Sequence, residues 1–228
     1  MISKSKKDTA YIESNKFASP QKIVYIKAST NKSLLKQINK ISKKAISVFK
    51  ANEIKEKQKR IKNSILKTKA LDSIGISLTM SSGYKLFKKE NNNKFWFQRE
   101  TQKGSVNLLI YTLPLYKKNP NLESIIALRD SIGKAFVPGR NKDSYLITEK
   151  AYEPYFFKTK VSSLNTFETR GTWEVVNDYM AGPFLNYYIK DLKNNRTIVI
   201  EGFVFSPSVR KREYLVELEA IVRSLKVF

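Results

Sequence analysis

The 228 residues include no cysteine and no histidine. Thiolate nucleophiles, imidazole bases, disulfides and most zinc, copper and haem ligation are therefore excluded. Acid–base chemistry is left to carboxylates, lysines and hydroxyls. Paired carboxylates that cleave glycosides must stand roughly 5 to 10 Å apart in a cleft. Glu168, Glu174 and Asp178 share one segment, but Glu168 and Glu174 have the same strand parity, which predicts a solvent-facing side. Serine and lysine are abundant, yet no local motif singles out a Ser–Lys dyad. Glycine-rich phosphate loops, a nucleophile elbow and calcium-loop spacing are missing, and eight glycines leave little material for a dinucleotide loop. The expectation is a non-catalytic protein without metal or cofactor.

The remaining candidates concern binding. The chain carries 43 basic and 20 acidic residues, a net charge of +23. Of the basic residues 34 are Lys and 9 are Arg. Arg has the planar fork that grips phosphate in a bidentate way, whereas Lys acts as a point charge, so this balance favours a solvated basic surface over a phosphate reader. Candidate anion-binding residues are Lys36, Lys40, Lys43 and Lys44 on a lysine-rich helical pattern, with Arg129 and Arg140 flanking Val137-Pro138-Gly139. Arg129 falls next to a core position of its helix, so its charged head must snorkel or find a carboxylate or carbonyl. The segment 170–184 is the densest in unusual residues. Trp173, Tyr179, Met180 and Phe184 are the types that make interface hot spots, which predicts a partner-facing patch. The competing reading is a core tryptophan beside a tight corner at Gly182-Pro183.

These residues depend on the elements that carry them. Residues 1–20 read as a loosely ordered polar lead. Ile23-Val24-Tyr25-Ile26 reads as a strand. From Lys32 the positions Leu34, Ile38, Ile41, Ala45 and Val48 recur at three and four, the stripe of a helix. Residues 21–70 are therefore expected to be a basic strand–helix segment packed on the main domain. Near Leu71 the period changes to two: Ile74, Ile76, Leu78 and Met80 alternate with small polar residues, as in a half-buried strand. Residues 84–87, 94–100 and 106–115 read as further strands. A helix capped by Asn121 follows, on the stripe Ile125, Leu128, Ile132 and Phe136. Strands at 145–148, 155–161 and 166–176 precede a hairpin of 184–190 with 197–205, and a helix over 209–226 closes the pattern. Residues 71–228 are thus expected to form an α+β domain, an antiparallel or mixed sheet with helices packed on it as an α/β/α sandwich. No stretch of 18 apolar residues occurs, so no transmembrane segment is expected.

Several blocks share an order with one family. They are Phe95-Trp96-Phe97-Gln98-Arg99-Glu100, Leu128-Arg129-Asp130, Gly171-Thr172-Trp173-Glu174-Val175 with Asp178-Tyr179-Met180-Ala181-Gly182-Pro183-Phe184, and Glu201-Gly202-Phe203-Val204-Phe205-Ser206-Pro207 followed by Lys211-Arg212-Glu213-Tyr214. The chain resembles a Bacteroidota family of cell-envelope lipoproteins catalogued only as a domain of unknown function. Such proteins usually carry a signal peptide and an anchoring cysteine, and this chain looks like a shortened member with neither. The resemblance implies a cell-envelope or periplasmic location and carries over no assigned catalytic residues; with no signal peptide visible, the cytoplasm is the alternative. The part after Leu71 also looks like the sandwich of extrinsic photosystem proteins, a likeness of fold alone. Two functions follow as expectations. One is an envelope accessory or assembly protein that docks on another envelope protein. The other is a non-specific nucleic-acid or anionic-surface binder acting through the lysines of residues 32–69.

Overall fold

A computed structural model describes residues 7–228, which divide into two compact units at residues 59 and 60. The first unit contains an antiparallel pair, β1 (Thr9–Ser14) and β2 (Lys22–Lys27), and most of the long helix α1 (Asn31–Ile61). Tyr11 and Tyr25 stack across the pair at 5.2 Å. The start of α1 is capped reciprocally: Ser33 N–H donates to Thr30 Oγ1, and Thr30 N–H donates to Ser33 Oγ, each at 3.1 Å. On the expected stripe Ile41 and Ala45 are buried, whereas Ile38 is 38% exposed.

Two boundaries move from their sequence-based positions. Residues 9–14 of the lead form a strand, because Ala10 and Ile12 meet Ile26 and Val24 across the ladder; residues 1–6 of that lead lie outside the described residues. The division falls about ten residues before Leu71, since residues 60–70 belong to the second unit, where Leu66 N–H donates to Met80 O.

The second unit is built on one antiparallel sheet. Its strands are β4 (Lys85–Glu90), β5 (Lys94–Thr101), β6 (Gly104–Pro114), β7 (Leu146–Thr148), β8 (Tyr155–Val161), β9 (Leu164–Val175), β10 (Asp178–Asp191) and β11 (Arg196–Phe205). Their order is β4-β5-β6-β11-β10-β9-β7, and β8 also pairs with β9. The helix α2 (Leu122–Phe136) lies over one face and α3 (Arg212–Val222) over the other, so the expected α+β sandwich is the architecture found. Register assigns the faces. Val199, Glu201 and Phe203 of β11 look to α2, and Ile198, Ile200 and Gly202 look to α3.

The sharpest local departures have identifiable causes. The expected strand at 74–80 is broken by a 3-10 turn at Asp72–Ile74 that ends on Gly75 at φ 56°, leaving a two-residue β3 (Ile76–Ser77) paired with β12 (Lys226–Val227). Ile74, Ile76, Leu78 and Met80 are nevertheless all buried. The last helix is shorter than 209–226, because the chain turns at Arg223 and Ser224 to reach β12. Gly182-Pro183 is no corner. The turn is at Val176-Asn177, with Asn177 at φ 59°, and a register shift follows between Asp178 and Ala181. Gly182 sits inside β10, where a Cβ would stand 2.1 Å from Val204 O.

Candidate functional site

α2 is drawn close to the sheet by a glycine and anchored there by charge. A Cβ at Gly133 would stand 2.1 Å from Leu146 O, so only glycine lets the helix approach β7 this closely. One turn earlier Arg129, 1% exposed, points at the sheet. Its Nη2 lies 2.8 Å from Glu201 Oε1, aligned as an ion pair rather than as a well-directed hydrogen bond. Its Nη1 donates to Thr148 Oγ1 at 2.8 Å, and the guanidinium lies 3.8 Å from the centre of the Phe184 ring. Glu201 Oε2 accepts from Asn186 Nδ2 at 2.9 Å. Asp130 Oδ1 accepts from both the backbone and the hydroxyl of Thr148 at 2.7 Å, which ties α2 to β7. The Tyr111 and Tyr188 hydroxyls lie buried nearby without a well-formed hydrogen bond, and burial pushes both phenols up from their usual range.

Beyond the C-terminal end of α2 a cleft of about 200 Å³ opens. Its aromatic walls are Trp96, Trp173, Phe203 and Phe205, and Met180 and Arg140 line it as well. Trp173 meets Phe203 edge-on at 5.8 Å. Trp96 Nε1 donates to Asn107 Oδ1 at 3.0 Å, while Trp173 Nε1 is buried with no acceptor. Arg140 grips Asp178 with two hydrogen bonds of 3.0 and 2.8 Å. Those bonds hold the Asp178 carboxyl below the usual carboxylate range. Tyr179 next to it is fully exposed.

The far end of α2 borders a larger cleft of about 490 Å³, whose walls include Leu113, Tyr116, Ile125, Leu128 and Tyr188. It shares Tyr116 and Asn119 with a third cleft of about 280 Å³ that contains Lys158, Lys190 and Phe167.

The opposite face holds a dense ionic cluster. Arg170 bonds Glu168 and, at 2.6 Å, Glu219 of α3. Arg223 adds ion pairs to Glu168 at 3.7 Å and to Glu219 at 3.4 Å. Glu168 is therefore not solvent-facing: it is 4% exposed, because α3 covers that side of β9 and supplies charged partners. Among the described residues no group of three or more acidic side chains stands close enough together to hold a metal ion.

The residues singled out in the sequence fall into three places. Trp173, Met180 and Arg140 converge on the aromatic cleft, with Tyr179 exposed at the adjoining turn. Trp173 and Phe184 are 1% and 2% exposed, so the predicted surface patch of four reduces to Tyr179 and Met180, with Trp173 reached only through the cleft. The β10 register explains this, since Phe184 and Phe203 are paired beneath α2. Arg129 is a buried ion-pair partner, not an anion ligand. Lys36, Lys40, Lys43 and Lys44 are exposed along α1. Sequence reasoning missed Glu201 and Asn186, although a polar residue inside an otherwise apolar strand signals a buried pairing. It also missed the clefts around Tyr116, whose walls come from separate segments that only the fold unites.

Residues 62–224 match the model of the family described as Domain of unknown function (DUF4837), and the chain belongs to that family. Residues 1–62 match a second model, Domain of unknown function (DUF8532). No curated protein matches. Among solved structures the chain is similar to a point mutant of protein Mog1, at TM-score 0.40 and 9% identity, covering 67% of this chain and 90% of that one. It is similar also to the Saccharomyces cerevisiae Ran-binding protein Mog1p, at TM-score 0.42 and 12% identity, with the same coverages. At these values the likeness says nothing of function.

Proposed function

We propose that this DUF4837 member is a non-catalytic accessory or assembly protein of the bacterial cell envelope, from a Bacteroidota lipoprotein family, and that it acts by docking on another envelope protein. The observation that carries the reading is the convergence of both tryptophans, Met180 and Arg140 on one aromatic cleft beside the fully exposed Tyr179. Aromatic residues, Met and Arg are enriched where partners bind. The cleft has room for one apolar side chain. The occupant this fits is an extended segment that places such a side chain over Met180, with an acidic neighbour drawn to a chain of net charge +23.

The test is affinity capture from native cells with the wild type, Met180→Asp and, as a control, Leu192→Asp, a change at a residue 64% exposed in the turn between β10 and β11. An envelope protein held by the wild type and by Leu192→Asp but lost by a folded Met180→Asp supports the reading. Capture that is the same for all three proteins overturns it.

A further inference from the structure

The chain from the end of β6 to the cap of α2 passes between two clefts, and Tyr116 belongs to both. The first, of about 490 Å³, is apolar on its inner side, where Leu113 faces Ile125 and Leu128. Its inner wall includes Tyr188, 5% exposed, whose hydroxyl lacks a well-formed hydrogen bond. The second, of about 280 Å³, is walled by Phe167, Lys158 and Lys190, and Lys118 stands at the mouth of the first. Lys190 Nζ lies 4.9 Å from the centre of the Tyr116 ring, and that ring meets Phe167 edge-on at 6.0 Å. Among the described residues no Asp or Glu lines either cleft.

We infer that the two clefts form one binding site for a small organic acid with an apolar body. The carboxylate lies among Lys118, Lys158 and Lys190. The apolar body passes Tyr116 and lies against Ile125 and Leu128. The two halves answer different physical needs. Lysine supplies a mobile point charge at a solvated rim, which suits a carboxylate that keeps part of its water. The inner cleft offers mainly apolar surface, from Leu113, Ile125 and Leu128, with a few polar groups such as Ser124, Thr197 and the Tyr188 hydroxyl around it, the usual composition of a small-molecule site. A polymeric anion fits poorly, because a chain of phosphates has no apolar body to set against Leu113, Ile125 and Leu128. This site is separate from the aromatic cleft at Met180, with which it shares no residue.

A chain of this charge has lysines everywhere, so the experiment must separate a built site from general attraction. The probe is decanoate, titrated by calorimetry into the full chain at low ionic strength, with decanol as its uncharged counterpart. Saturable binding of decanoate is expected, with decanol about tenfold weaker or worse, the ratio that loss of one charge-assisted contact produces. Lys158→Gln/Lys190→Gln weakens decanoate by about tenfold, whereas the charge-matched Lys36→Gln/Lys43→Gln on α1 changes it less than about twofold. Leu128→Trp fills the apolar half and abolishes binding; if that variant does not fold, the lysine pair decides alone. Met180→Asp leaves decanoate binding unchanged, so failure of the docking reading and failure of this one are told apart. Equal affinity for decanol, an equal loss in the α1 control, or no saturable binding at millimolar decanoate overturns the assignment.

Discussion

The two faces of the sheet solve the same problem differently. Under α3, two arginines, Arg170 and Arg223, serve two carboxylates, Glu168 and Glu219. Beside them Arg99 grips Glu217, which also accepts from the Tyr84 hydroxyl. Under α2 one arginine, Arg129, is the single cation of one buried carboxylate, Glu201, and stands 3.5 Å from the partly exposed Asp130. That face also retains buried polar atoms without a well-formed hydrogen bond: Arg129 Nε, Thr169 Oγ1, Asn186 Oδ1, Trp173 Nε1 and the hydroxyls of Tyr111 and Tyr188. Each such atom costs about 1 to 3 kcal/mol. The aromatic cleft and the two clefts at Tyr116 lie on this same side. A face that keeps unsatisfied polar groups beside open clefts departs from good packing where both proposed binding sites lie. The α3 face, with its charges cross-paired, is the side that holds the unit together.

The largest expected effect strikes the single pair. Arg129→Met leaves Glu201 buried at 2% exposure without a cation and removes the guanidinium from the Phe184 ring. Stability should fall by about 3 to 5 kcal/mol in urea unfolding. Arg129→Met combined with Glu201→Gln should recover most of that loss, since no deeply buried charge is then left uncompensated and the partly exposed Asp130 keeps its two hydrogen bonds from Thr148. Arg129→Lys keeps the charge but loses the fork and the stacking, so it should melt lower while partner binding by the folded fraction is unchanged. An Arg129→Lys protein that melts normally yet loses its partner would reverse the assignment of Arg129 as structural.

The same truncation on the other face should cost less. Arg223→Met removes one of two cations, but Arg170 still bonds Glu168 and Glu219. Arg223 also donates to Lys160 O at 2.7 Å, and the substitution removes that hydrogen bond too. A fall of about 1 to 2 kcal/mol is expected, well short of the Arg129→Met value. Equal losses for the two substitutions would break the contrast between a shared and a solitary charge.

How far this contrast is legible in the sequence follows from the range of the interactions. The strands of residues 84–114 and 155–205 and both helices of the sandwich announce themselves by period, and Asn121 by its capping role, because those signals are local. Arg129 stands out by its place beside the helical stripe, yet its partner Glu201 lies 72 residues away and no local signal connects them. Parity alone sends Glu168 to solvent, because it says which residues share a face, not which face a distant helix will cover. Asn177 illustrates the same limit at short range. Gly182-Pro183 has the composition of a corner, but a left-handed Asn makes the turn, and the glycine is required by a neighbouring strand's carbonyl. The clefts at Tyr116 combine residues from β6, α2, β8 and β10, and only the assembled sheet makes them neighbours.

An effect no larger than that of Arg223→Met is expected at the end of the α3 face, at the hairpin between β10 and β11. Asp191 is 1% exposed, and burial alone would raise its carboxyl. Hydrogen bonds from Asn194 and from Arg196 Nε, the latter at 2.7 Å, outweigh that and hold it below the usual range. A carboxyl whose folded pKa is depressed contributes stability that is fully present above the unfolded value of about 3.9 and is lost as pH falls through the folded value. Asp191→Asn should therefore cost about 1 to 2 kcal/mol at neutral pH, the scale of a charge-assisted hydrogen bond. That difference from the wild type should shrink as the pH is lowered below about 4, because the unfolded chain then takes up a proton that the folded carboxyl resists until the pH reaches its own lower value. Arg196 also donates to Ile74 O, so the substitution frees an arginine that still has one acceptor, which keeps the cost below that of Arg129→Met. Urea unfolding of both proteins between neutral pH and about pH 3 provides the measurement. A gap that stays constant over that range would mean that Asp191 acts through its shape and its turn, not through its charge.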